Sequence, residues 1–167
     1  SVMTSAQSSP PAGSDSEFTF ITPRKLAQNR PDTVEVNENQ DFLINWAWIK
    51  SVTPDSLAMT DAEMIQSLGI EKYVLDITRT ESNNPGTSFS FSRTFNKDSE
   101  GIIANKLQIS KEEAIKAGFA DGDLYTASIK QYGVNNNLID SYSSPGFVFR
   151  ELEGPLMQDV TIQAVLK

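Results

Sequence analysis

Apolar and polar residues alternate in segment after segment of this chain, and that alternation restricts its fold more than any other feature. A period of two sends successive side chains to opposite faces, so it specifies a half-buried strand and conflicts with the 3.6-residue period of a helix. In "DFLINWAWIKSV" (Asp41 to Val52) it sets Phe42, Ile44, Trp46 and Trp48 on one face and Leu43, Asn45 and Ala47 on the other. "KYVLDITRT" aligns Tyr73, Leu75 and Ile77, "TSFSFSRTF" aligns Phe89, Phe91 and Phe95 against serines and threonine, and "DLYTASIKQY" turns Tyr125, Ala127 and Ile129 inward. "FTFITP" reads as a first strand ended by proline, "TVEV" as an entry strand before the central "DFLINWAW", and "NKLQIS" and "PGFVFRE" as later strands. With turn residues at spacings of about ten, the expectation is an all-β sandwich of about seven strands. The two tryptophans then read as core, or alternatively as an aromatic platform for a ligand.

Two short helices are expected in connections. Thr60 followed by Glu63 is a capping-box pair ahead of "DAEMIQSL", with Gly69 as the stop. Ser110 followed by Glu113 repeats the signal ahead of "KEEAIKA", with Gly118 ending it. The first helix falls inside a long insertion, Ile49 to Glu71, whose Met59, Met64, Ile65 and Leu68 form an apolar face suited to a lid over one end of the sandwich.

Composition excludes several chemistries. The 167 residues include no histidine and no cysteine, which removes disulfides, Cys/His zinc sites, thiol nucleophiles and any triad with an imidazole base. Against 22 Asp plus Glu stand 14 Lys plus Arg, a net charge of -8 without a basic run, so nucleic acid is an unfavourable partner. No apolar run approaches the roughly 20 residues of a membrane-spanning helix. There is no Asn-x-Ser/Thr sequon.

The ends read differently from the middle. Residues 1–17, "SVMTSAQSSPPAGSDSE", carry little apolar bulk and read as a flexible leader or tether, for instance behind a lipid anchor further upstream. Residues 18–152 form the expected sandwich domain. In 153–167 a Gly-Pro break precedes alternating Val160, Ile162, Ala164 and Leu166, an extra strand or the start of a following module.

Few residues point to chemistry. "DGD" (Asp121 to Asp123) could begin a calcium site but lacks further ligands, so it reads as a solvated turn. The polar hairpin "GVNNNLIDSYSS" offers asparagines that tolerate unusual backbone angles, an aliphatic pair beside them, and tyrosines near its ends. Its candidate protein or sugar contacts are Tyr132, Asn135, Asn136, Asn137, Leu138, Ile139 and Tyr142; the plainer reading has Leu138 and Ile139 start the last strand. No spacing selects a carboxylate dyad or a serine–lysine pair, so no catalytic, metal or cofactor residues are expected.

Strand number, spacing and an early central tryptophan resemble an immunoglobulin-like or fibronectin-type-III-like sandwich. Tyr125, after "DGD" at the head of a late strand, stands where such folds place a corner tyrosine whose hydroxyl bonds back to the backbone. The order of "DTVEVNENQDFLINWAW", "YVLDI", "SFSFS", "LQISKEEAIKAGFADGDLYTASIKQYG" and "SYSSPGFVF" also resembles the N-terminal sandwich of SusE-like outer-membrane lipoproteins of bacterial glycan-uptake systems. Two departures are the long insertion after Trp48 and the missing lipobox cysteine. The resemblance implies a non-catalytic extracytoplasmic spacer or docking module at the outer membrane or cell surface, with a protein or oligosaccharide partner. A carbohydrate-binding module and a structural or adhesion domain of a shell or fibre are the alternatives.

Overall fold

The computed structural model describes residues 16–23, 32–50 and 59–152, so the leader, the 153–167 tail and residues 51–58 of the insertion lie outside the described residues, apart from Ser16 and Glu17. In chain order the elements are β1 (Ser16–Thr22), β2 (Asp32–Val36), β3 (Phe42–Lys50), α1 (Asp61–Leu68), β4 (Lys72–Glu81), β5 (Phe91–Asn96), β6 (Lys106–Ile109), α2 (Lys111–Ala117), β7 (Leu124–Tyr132), β8 (Leu138–Ser143) and β9 (Phe147–Glu151). One sheet has the order β1-β3-β6. The other runs β2-β9-β7-β4-β5, with β8 also on β7. The fold is an all-β sandwich, as the strand pattern predicts: β1 pairs antiparallel with β3, and β2 crosses to the large sheet to run parallel to β9.

Among the described residues there are nine strands where about seven were expected, and the reason is local. β8 and β9 follow each other along one side of β7, β8 opposite Ser128 to Tyr132 and β9 opposite Leu124 and Tyr125. Between them Pro145 lacks the N–H a ladder needs. Ser144 bridges the gap: its N–H donates to Ala127 O at 2.8 Å and its Oγ accepts the Ala127 N–H at 3.0 Å. The hairpin segment expected after Tyr132 is therefore a tight turn followed by a strand.

Period-two burial holds along β2, β4 and β7. Trp46 is core, 1 % exposed, with Phe95, Phe20 and Tyr73 rings edge-on at 5.4, 6.4 and 6.5 Å. Trp48 is half-buried with its ring 4.9 Å from Phe18. Phe89 stands before β5 rather than in it, yet its ring meets Phe119 and Tyr125 at 4.9 and 5.1 Å. Tyr125 makes the corner expected of it, its hydroxyl accepting the Ala120 N–H at 3.0 Å. Burial raises the pKa of that phenol above its ordinary value.

Both helices start and stop where their caps dictate. Thr60 and Glu63 complete a reciprocal capping box, and Gly69 ends α1 in the left-handed region at φ 72°. Met64 and Ile65 are buried beneath it, as a lid requires. At α2 only half the box forms: Ser110 accepts the Glu113 N–H, while the Glu113 carboxylate turns to Arg93 at 3.7 Å.

Candidate functional site

The strand directions put α1, the 97–105 connection and the β7–β8 turn at one pole, with the 37–41 turn, the 82–90 connection and α2 at the other. At the first pole the connections are tied through one residue. Glu71 donates its N–H to Tyr132 O at 2.7 Å, accepts the Lys97 N–H on its carbonyl at 3.0 Å, and holds the Lys97 ammonium on its carboxylate at 2.7 Å. Gly133 packs directly under the α1 cap, where a Cβ would lie 2.9 Å from Gly69 O and 3.2 Å from Ile139 Cδ1. No side chain fits there. The turn is closed by the Gly133 N–H on Asn137 O at 2.8 Å, and Asn135 and Asn136 take positive φ of 59° and 57°. Asparagine bears that conformation better than other branched or bulky residues, as its choice in the sequence anticipates.

This rigid turn exposes apolar surface. Val134 is 67 % and Leu138 51 % exposed, beside the exposed Asn135, Asn136 and Asn137. The other candidates are not brought to the same surface. Ile139 turns inward onto the core, and so does Tyr142, whose ring lies 4.9 Å from Phe18 and whose hydroxyl donates to Asp140 Oδ2 at 3.1 Å. Burial and the adjacent carboxylate raise the Tyr142 pKa. Tyr132 instead stands on the outer face of the large sheet, with the Lys72 ammonium 5.7 Å from its ring centre. The two tyrosines thus lie on opposite faces and form no common sugar platform, because Tyr132 pairs across from Leu138 whereas Tyr142 pairs across from the buried Ile129.

At the opposite pole the "DGD" turn is only half solvated: Asp121 is exposed as expected, while Asp123 is not. Asp123 is 2 % exposed, accepting Ser82 Oγ–H at 2.8 Å and the Asn83 N–H at 2.9 Å, with Arg79 at 3.7 Å. Arg79 in turn donates to Thr87 O at 2.6 Å and lies over Phe89. Asp121 faces away and accepts the Glu151 N–H at 2.8 Å, so the carboxylates of the turn serve separate structural ends. Sequence reasoning missed the Arg79–Asp123 pair, since nothing local links a residue of β4 to the turn before β7. Between the 37–41 turn and α2 lies a cleft of about 440 Å³ walled by Glu38, Asp41, Lys111, Glu112 and Ile115. Among the described residues, no group of three or more His, Cys, Asp or Glu side chains is arranged to hold a metal ion, and no helix is long and apolar enough to cross a membrane.

No protein-family model matches the chain, and none of the curated proteins matches it.

Proposed function

We propose that this sandwich is a non-catalytic spacer and docking module of an extracytoplasmic glycan-uptake assembly, and that it engages its partner through the pole built from α1 and the β7–β8 turn. The observation that carries the docking role is the exposure of Val134 and Leu138 on a turn braced from beneath by Gly133 and Glu71. Function concentrates on loops held by a rigid scaffold, and strained backbone such as consecutive left-handed residues persists where its surroundings hold it. The bacterial cell-surface setting is supported by the sequence resemblance to SusE-like lipoproteins. Protein contact is favoured over sugar contact, because aliphatic tips offer no flat ring and the two tyrosines face apart.

A photoreactive residue placed at position 138 of the full chain, expressed in its own cells, is expected to give one discrete protein adduct. The same residue at position 39, in the exposed turn of the opposite pole, is expected to give none. Equal yields from both positions, or none from position 138, would overturn the docking role. A panel of glycans and peptides is expected to show no turnover, and hydrolysis abolished by removing one carboxylate would reveal an enzyme instead.

A further inference from the structure

The docking pole is continuous with the outer face of the large sheet. Asn96, Lys72, Tyr132 and Leu138 form the cross-strand row nearest the turn, and Thr94, Val74, Lys130 and Ser141 form the next. Lys72 and Lys130 are diagonal neighbours on adjacent strands, roughly 7–8 Å apart at the backbone. In a chain of net charge -8 five described cations, Arg79, Arg93, Lys97, Lys111 and Arg150, form ion pairs, while Lys106 and Lys116 on other surfaces form none among the described residues. Among the described residues, Lys72 and Lys130 form none, even though Asp76 stands diagonal to Lys130 one row further on. Two ammonium groups thus share one sheet face, neither in an ion pair among the described residues, next to the exposed aliphatic tip. An anionic ligand finds charge complementarity on this face beside apolar surface.

We infer that Lys72, Lys130, Tyr132, Val134 and Leu138 receive an acidic, aliphatic segment of a partner protein, with its carboxylates on the two ammonium groups and an aliphatic side chain on Val134 and Leu138. The inference rests on the docking role proposed above and adds the chemistry of the partner. An anionic saccharide would meet the lysines but leave Val134 and Leu138 in water, so it is the rival occupant.

The test is an NMR titration of the isotope-labelled full chain with three probes: the acetylated, amidated peptide Glu-Leu-Glu-Leu-Glu, its Lys-Leu-Lys-Leu-Lys counterpart, and oligogalacturonate. The acidic peptide is expected to shift the amides of Lys72, Lys130, Tyr132, Val134 and Leu138 in a saturable way, with the basic peptide and the saccharide leaving them in place. The Lys72→Glu, Lys130→Glu variant is expected to weaken the acidic peptide roughly tenfold. Equal shifts by the basic peptide, no saturable shift at those amides, or a response to the saccharide without one to the peptide would each overturn the inference. The adduct from position 138 separates the two claims. If it persists undiminished in the Lys72→Glu, Lys130→Glu variant, docking stands and the acidic partner falls; if the parent gives no adduct, docking itself falls.

Discussion

Replacing Asp123 tests whether the pole opposite the β7–β8 turn is held by a buried charge pair. Asp123→Ala removes the acceptor of the Ser82 hydroxyl and the Asn83 N–H and leaves Arg79, itself only 9 % exposed in its side chain, facing no carboxylate. Breaking a buried pair by removing one partner costs about 3–5 kcal/mol. Two features place this case at the low end. Asn83 is exposed, so its N–H regains water, and Arg79 keeps Thr87 O and Oγ1 at 2.6 and 3.0 Å. The expected cost is therefore about 3 kcal/mol for Ala and about 1–2 kcal/mol for Asn, which preserves an acceptor. Arg79→Met combined with Asp123→Ala should cost less than the sum of the single changes, because no unpaired charge is left behind. The assay is equilibrium urea unfolding followed by tryptophan fluorescence. Asp123→Ala within about 0.5 kcal/mol of the parent, the range of ordinary surface changes, or strictly additive single and double variants, would refute the reasoning.

Trp46→Ala opens a cavity among Phe20, Tyr73 and Phe95 and should cost about 3–5 kcal/mol, lowering the calorimetric melting temperature by more than about 10 °C. Gly133→Ala drives a Cβ against the Gly69 carbonyl and should cost about 1–3 kcal/mol, read as faster hydrogen exchange at the Glu71 amide than at the core amides of β7. Tyr73 and Tyr142 have pKa values raised above the ordinary 10.0, mainly by burial, so their neutral forms are favoured in the folded state. Stability from these groups is fully present below pH 10.0 and falls as pH rises beyond it; urea midpoints measured upward from neutral pH should hold steady and then drop in that alkaline range.

Much of the fold was legible because burial follows parity. Phe42, Ile44 and Trp46, and again Tyr73, Leu75 and Ile77, are buried where alternation put them. The caps at Thr60 and Ser110 were legible because a side chain three residues from its partner makes a local bond. β8 begins at Leu138, as the plainer reading of Leu138 and Ile139 had it, with β9 still to follow; what the sequence hid is the register shift between Gln131 and Tyr132, which sends Leu138 outward and Ile139 inward. The same parity separates Tyr132 from Tyr142, two rings that sequence proximity had grouped. The Arg79–Asp123 pair and the brace through Glu71 join segments distant in the chain, and only pairing of β4 with β7 brings them together. Of the candidate contact residues, the asparagines and Leu138 lie together at the exposed turn, with Val134 added by its position on the same turn.

The central claim is that the β7–β8 turn is a recognition surface and not a hidden part of the core. The most direct measurement pairs the Val134→Ser, Leu138→Ser variant with a photoreactive residue at position 136, recording both melting temperature and adduct yield. Both replaced side chains are more than half in water, so the melting temperature should stay within about 2 °C of the parent while the adduct falls to background. A large loss of stability would show that these residues serve the core, and an undiminished adduct would show that the partner does not read them; either result would contradict the account.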